Sequence, residues 1–353
     1  VVRNPVPGRP QIHQIELPLA HSPDLRAPET TQIYLIEGEP LTLIDTGVQS
    51  VESRAVLEVA LHRLGYGLAE IERVIVTHSH HDHFGSIESI RAAGANLECW
   101  VHELDAELVE DFRGLTGQRM SWMTELFREF GVPGPLLERL EEQGRDALQV
   151  FDREAQATRV DRRLTDGDRV EWKDWGLRVV HSPGHTPGHI LLEDEELGVL
   201  FTGDQIMASA IPNAENFYLS AQAGSEDLLA RRPRFRGLVE MRRSLRRLRG
   251  RPFGLILPGY GTAIRRADRA IRDTLLFYEV RLQRIDRGLR HLAAMGQDVT
   301  AYEIWKALFP ADESLAETRA HLLLLVGALD CLEEDGLLVT ERRSDGVLTH
   351  HHR

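Results

Sequence analysis

The sequence predicts an α/β (α+β) chain built on an αββα sandwich, two packed sheets with helices outside and a metal-binding edge. Strand-like and helix-like segments alternate through two halves of the chain. In both halves, apolar strands end in turns that carry histidine or aspartate. The most informative of these turns is His78-Ser79-His80-His81-Asp82-His83, directly after the apolar Val74-Ile75-Val76.

Gln32–Ile36 and Leu41–Ile44 flank Gly38-Glu39-Pro40 and read as a hairpin. An amphipathic helix near 51–64 follows, then a strand to Thr77, a helix from about 84 to 93 and a strand around 97–101. The second half repeats the pattern, with strands near 169–172, 177–180, 190–193 and 198–202, a helix over 238–248 and a strand at 255–257. Between them, about 103–157 turns helical and carries Phe112, Met120, Trp122, Met123, Phe127 and Phe130. So large a segment reads as a subdomain with its own small core, as a lid over an apolar substrate, or as both. A second insertion, Gln205 to Arg234, offers Phe217 and Tyr218 as a pocket wall.

From Ile264 the pattern changes. Ile271, Leu275, Tyr278, Leu282, Ile285, Leu289 and Leu292 recur at intervals of four and three, giving a long helix with one narrow apolar seam. The seam serves packing within the chain; a homodimer through the 264–292 helix is the alternative. Capping signals at Thr300 and Ser314 open two more helices, and 337–349 reads as a hairpin. His350-His351-His352 reads as a flexible end. The expected division is a catalytic domain over 1–262, interrupted at 103–157, and a second domain over 263–353.

At 353 residues the chain can bury a full core. Its formal charge of −13 argues against a nucleic-acid-coating protein. In the Arg-rich 231–251, Leu238, Met241, Leu245 and Leu248 mark an amphipathic helix whose arginines face solvent. Cys99 and Cys331 show no disulfide or metal spacing and fit a reducing cytosol, so a cytoplasmic protein is expected. The Pro-rich first thirty residues show no signal-peptide pattern, and no apolar run approaches the ~20 residues of a membrane span.

Imidazole and carboxylate suit Zn2+, Fe and Mn2+. Residues at i and i+2 in extended backbone project to one side, so His78 and His80 can grip one ion while Asp82 and His83 face a second. Two further turns follow strand-like runs: Ser182-Pro183-Gly184-His185-Thr186-Pro187-Gly188-His189, and Phe201-Thr202-Gly203-Asp204. Glycine lets the backbone turn tightly beside a metal, and a strand end holds a ligand firmly.

With these motifs in order, residues from about 30 to 262 resemble the metallo-β-lactamase superfamily, in its branch of glyoxalase II-like thioesterases and lactonases. Leu43-Ile44-Asp45-Thr46-Gly47 matches that family's early signature. The resemblance implies that His78, His80 and His185 hold one metal, that Asp82 and His83 hold a second, and that Asp204 bridges them. Asp45 and His189 would orient those ligands. The family's late Pro-Gly-His-Gly turn reads Pro258-Gly259-Tyr260-Gly261 here, so tyrosine stands at the last ligand position. A neutral phenol, with an ordinary pKa of about 10, is a poor zinc ligand but a good hydrogen-bond donor. Three readings stay open: Asp82, His83 and Asp204 alone hold the second metal, that site is weak or absent, or Tyr260 acts on the substrate. The tail of helices and hairpin is similar to the winged-helix tail of one branch.

The resemblance implies a metal-dependent hydrolase that uses a metal-bound hydroxide on an ester-type carbonyl, a thioester or lactone, with one or two Zn2+ ions or Fe or Mn in their place. Asp82 would orient the nucleophile and Tyr260 would donate to the developing oxyanion. The expected partner is a small-molecule acyl substrate; the acidic balance disfavours nucleic acid, and no membrane is expected. Two alternatives stay open: an RNA-cleaving endonuclease of the same superfamily, and a non-haem iron oxidoreductase with Tyr260 at the second metal.

Overall fold

The computed structural model of the chain describes residues 2–9, 11–19, 28–208, 210–219, 232–296, 299–309 and 314–353. It divides into two compact units that do not follow chain order. The first comprises Val1–Leu115, Gln149–Pro212 and Leu248–Arg272, and the second Thr116–Leu148, Asn213–Arg247 and Asp273–Arg353.

The first unit contains two sheets. One runs in the order β1 (Val2–Arg3), β2 (Ile12–Pro18), β3 (Thr30–Ile36), β4 (Thr42–Ile44), β5 (Arg73–Ile75), β6 (Glu98–His102), β7 (Arg162–Leu164). It is antiparallel through β4 and parallel from β4 to β7. The other contains β8 (Arg169–Trp172), β9 (Trp175–His181), β10 (Ile190–Asp194) and β11 (Val199–Gly203) as an antiparallel meander, with β14 (Leu255–Pro258) parallel to β11. Side chains alternate across a strand, and the two faces of the first sheet bury different sets. Tyr34, Ile36, Ile44 and Ile75 pack with Val170, Val179, Leu192 and Phe201 of the second sheet. Ile33, Leu35, Leu43 and Val74 pack on the other side with Leu57 and Leu61 of α1 (Val51–Arg63) and Ile87 and Ile90 of α3 (Ile87–Ala92). The Ser50 side chain accepts from Ser53 N and caps α1, a bond worth about 1 kcal/mol.

The αββα reading holds, with several elements the sequence did not reveal. Strands β1 and β2 form within the Pro-rich start, where Ile12, Ile15 and Leu17 are buried. The helix expected over 84–93 is two pieces, α2 (His81–Phe84) and α3, so half of the histidine cluster is helical.

The second unit holds most of α5 (Phe112–Glu129) and α6 (Gly134–Glu154), which with α4 (Glu103–Glu110) make up the helical insertion. Phe112 packs on Phe84 in the first unit's core, whereas Phe127 and Phe130 are buried in the second. Of the second insertion, β12 (Asn216–Tyr218) pairs with β13 (Arg234–Arg236), and 220–231 lies outside the described residues. Phe217 and Tyr218 are buried, with Arg119 over the first ring and Arg232 over the second.

The remaining elements are α7 (Gly237–Leu248), α8 (Ala267–Ala294), α9 (Ala301–Leu308), α10 (Leu315–Glu334) and the hairpin β15 (Leu338–Arg342) with β16 (Leu348–His352). The seam residues of α8, from Ile271 to Leu292, are buried within the chain. The Ser314–Glu317 capping box is present, and Thr300 accepts from Glu303 N. One expectation needs correction and another is refined. The three terminal histidines are strand, not a loose end: His350 is buried and stacked on Phe130, and its N–H donates to Val299 O. The arginines of α7 face solvent as expected at Arg243, Arg246 and Arg247, and Arg242 is the exception. Arg242 is buried against Glu279 and Asp335, Arg243 pairs with Glu240 and Glu334, and Arg246 with Glu279.

Candidate metal centre

Every ligand candidate of the first unit leaves the C-terminal end of a strand. β9, β11 and β14 run in one direction within their sheet, as do β4 and β5 in theirs. Their following turns therefore gather at one edge. Asp45, just past β4, sits at φ 60, a region that costs a non-glycine residue on the order of 1–3 kcal/mol. That turn presents both carboxylate oxygens to the histidine loop. Oδ1 accepts from Thr77 N at 2.8 Å, while Oδ2 accepts from Thr77 Oγ1 at 2.8 Å and lies 2.8 Å from His83 Nδ1. Thr77 Oγ1 is also 3.0 Å from His78 Nδ1. With Nδ1 engaged in this way, each ring turns Nε2 away from Asp45.

Three imidazole nitrogens converge. His78 Nε2 is 3.2 Å from His80 Nδ1, and His185 Nε2 is 2.9 Å from the same atom. Tetrahedral ligands at about 2.0–2.1 Å from a zinc-type ion stand about 3.3 Å apart, so these nitrogens fit one ion. His185 reaches them because its loop closes on itself, with Ser182 N–H donating to His189 O at 2.8 Å and Gly184 N–H to Thr186 O at 3.1 Å. Asp204 faces both ways: Oδ2 is 3.4 Å from His185 Nε2, and Oδ1 is 3.3 Å from His83 Nε2. His78, His83 and Asp204 form the second group that could hold an ion. His83 Nε2 and Asp204 Oδ1 are buried without a hydrogen-bond partner, a cost of about 1–3 kcal/mol per group that a cation between them would offset.

Asp204 owes its position to glycine and a bulge. The β11–β14 register shifts between Phe201 and Gly203, which re-aims the following side chain. Gly203 has φ 45, and a Cβ there would lie 2.7 Å from Thr77 Oγ1 and 2.9 Å from His189 Nε2. His189 Nε2 accepts from Asp204 N at 3.2 Å, and its ring stacks on His78 with centroids 4.9 Å apart. His189 thus braces the ligands from behind.

Asp82 and Tyr260 form a pair of their own. The Tyr260 hydroxyl donates to Asp82 Oδ2, and Asp82 Oδ1 lies 3.9 Å from His81 Nδ1. Asp82 belongs to neither three-residue ligand group. Burial, then Asp82 and Asp204, push the Tyr260 phenol well above its ordinary value, which makes it a neutral donor. Burial opposes the charge on Asp82, but His81, His83 and His80 outweigh it and hold the carboxyl below its usual range.

Burial and the surrounding imidazoles keep His78 and His189 well below the ordinary histidine value, the neutral form a ligand needs. Burial also disfavours charge on His83, yet Asp204, Asp45 and Asp82 raise it well above that value. The second group is thus an environment that favours a cation.

One residue of the centre carries no local signal in the sequence. Asp105, fully buried in α4, accepts from Ser79 N at 2.9 Å and Thr186 Oγ1 at 2.6 Å through Oδ2, and from Gly188 N at 2.7 Å through Oδ1. A single carboxylate thereby clasps the two loops that carry His78, His80 and His185. A Cβ on Gly188 would stand 2.6 Å from Asp105 N, so the close approach requires glycine there.

Residues 26–260 match the family model for the metallo-beta-lactamase superfamily. The chain is 27% identical over 302 residues to the probable metallo-hydrolase YqjP of Bacillus subtilis (strain 168), covering 83% of this chain and 86% of that one. It is 31% identical over 134 residues to the acyl-coenzyme A thioesterase MBLAC2 of Bos taurus, covering 37% of this chain and 40% of that protein. The crystal structure of a beta-lactamase domain protein from Burkholderia ambifaria superposes with a TM-score of 0.76 at 23% identity, covering 100% of this chain and 94% of that one, a likeness of fold.

Proposed function

Because the chain belongs to the metallo-β-lactamase superfamily, we propose that it is a metal-dependent hydrolase of a small thioester, with a lactone as the related alternative within the same chemistry. The observation that carries the reading is the two-lobed ligand set: three imidazole nitrogens within 3.2 Å steps of one another, and Asp204 with one oxygen toward each lobe. His78, His80 and His185 would hold a first ion, and His83 and Asp204 with His78 a second. Imidazole and carboxylate donors suit zinc, iron or manganese. When bound, such an ion supplies Lewis acidity and makes water a nucleophile at neutral pH.

The chain's own residues do the rest. Asp45 and Thr77 fix the ring planes of His83 and His78. Asp82, held as a carboxylate, accepts and relays the proton of the attacking water. Tyr260, already a donor to Asp82, shifts that bond toward the oxygen that gains charge. A thioester ranks ahead of other acyl compounds because a relative over part of the chain is named an acyl-coenzyme A thioesterase. The hydrogen bond from Tyr260 to Asp82 supports a donor role for the phenol, which favours the hydrolase over the oxidoreductase alternative. The tail, two helices and a hairpin, is read as a winged-helix-like module.

Elemental analysis of the purified protein, beside hydrolysis of acyl-coenzyme A thioesters and lactones, tests the assignment. We expect bound divalent metal and thioester turnover, both lost in His185→Ala. Retention of both by that variant would refute it.

A further inference from the structure

We infer that the cleft between α5 and α6 is a binding site for a hydrophobic monocarboxylate, separate in its residues from the metal centre. The cleft lies within the second unit and encloses about 210 Å3. Met120, Leu140 and Leu148 give it an apolar wall, and Arg319 of α10 lines it. Two glycines inside helices line it, and Gly144 is the tighter of the two. A Cβ on Gly144 would stand 3.2 Å from Arg319 Nη2, and one on Gly117 would stand 3.4 Å from Leu148 Cδ2. Each costs roughly 1 kcal/mol of helix propensity relative to alanine, and at Gly144 the missing side chain leaves room for the guanidinium.

Arg319 is the reason to expect an anion. Its Nη2 donates to Leu140 O, and its Nε is buried with no hydrogen-bond partner. Among the described residues, no carboxylate stands within ion-pair distance of it. Burial pulls its pKa below the usual arginine value, yet a guanidinium stays charged at any pH a protein meets. A largely desolvated, unpaired cation is unfavourable, and an incoming anion relieves it.

The cleft's charge and size narrow the ligand. Arg145 and Glu141 line it as well; two arginines and one glutamate leave a net of one positive charge. That balance suits a single negative charge, and Glu141 would repel a dianion such as a phosphonate at alkaline pH. An apolar cavity of about 150 Å3 accepts benzene, so this one takes a carboxylate with a body of roughly six carbons against Met120, Leu140 and Leu148.

Calorimetric titration of the metal-loaded full chain with hexanoate, hexanol and hexylphosphonate, at an alkaline pH where the phosphonate is a dianion, tests the site. Wild type should bind hexanoate at least about tenfold more tightly than hexanol, the worth of one hydrogen-bonded charge pair, and hexylphosphonate more weakly than hexanoate. Arg319→Gln should erase the preference for hexanoate. Gly117→Leu fills the cleft while keeping Arg319 and improving the helix, and should weaken hexanoate at least about tenfold. If Arg319→Gln does not fold, Gly117→Leu decides alone. The inference is overturned by equal affinity for hexanoate and hexanol, by no binding, by tighter binding of hexylphosphonate, or by hexanoate binding unchanged in Gly117→Leu. The last result would place the carboxylate at another site.

Discussion

Asp105 does for the metal centre what no ligand can do for itself: it sets the distance between two loops that are far apart in sequence. Oδ2 accepts two donors, from Ser79 and Thr186, and Oδ1 accepts a third from Gly188. Asparagine has the same shape but only one acceptor oxygen, so its amide would face an N–H or O–H donor with no lone pair to offer. Asp105→Asn should therefore keep the fold yet loosen the grip of His80 and His185, whose nearest nitrogens stand 2.9 Å apart. Loss of such a supporting carboxylate typically lowers metal affinity about 10–100-fold. Titration against a chromophoric chelator measures this directly, below the temperature at which either protein unfolds. A variant whose chelator curve superimposes on that of wild type would show that Asp105 serves the fold and not the metal.

The ligand turns were legible because each is a local event, a short apolar strand, a glycine and a polar side chain in consecutive positions. His78, His80 and His185 could be named from that pattern, and the structure brings them together. What escaped depends on partners distant in the chain. Strand β2 is identified by its pairing with β3, not by its Pro-rich surroundings, and His350 is fixed by Phe130, 220 positions earlier. His102 belongs to the same class. It ends β6, accepts from Leu104 N as the cap of α4, and stacks at 4.1 Å on His181, which ends β9. Burial, then His181, pull its pKa down to about 4. Between about pH 4 and 6.5 the unfolded chain binds a proton that the folded one does not. Stability contributed here is thus full above pH 6.5 and falls as the pH drops toward 4, with a limiting slope of about 1.4 kcal/mol per pH unit. His102→Asn retains a capping oxygen and removes the titration. Urea midpoints between pH 4.5 and 7 should fall less steeply for this variant than for wild type, the metal-binding contribution being common to both. Parallel profiles would mean that His102 is protonated alike in both states.

At the scale of the molecule, charge bears on the choice between acyl and nucleic-acid substrates. The chain carries 55 acidic against 42 basic residues, and its Arg-rich stretch is largely spent on internal pairs. Arg234 and Arg236 engage Asp330, and Arg236 also meets Glu333 and Glu334. Arg242, Arg243 and Arg246 are held by Glu240, Glu279, Glu334 and Asp335. The helical periodicity of 238–248 was readable in the sequence, but apart from Glu240 the carboxylates that neutralise it lie about 30 to 100 positions away and could not be. An arginine must leave its carboxylate before it can meet a phosphate, so the gain from counterion release is offset by a broken pair. Affinity for single-stranded RNA falls with salt with a slope of about −0.7 for each phosphate neutralised. For this chain we expect a slope no steeper than about −1 and no measurable binding at physiological salt, read by fluorescence anisotropy of a labelled oligonucleotide over a salt series. A slope of about −3 or steeper would require several of these arginines to reach phosphates together. That outcome would turn the assignment from an acyl substrate to an RNA one while leaving the metal centre as described.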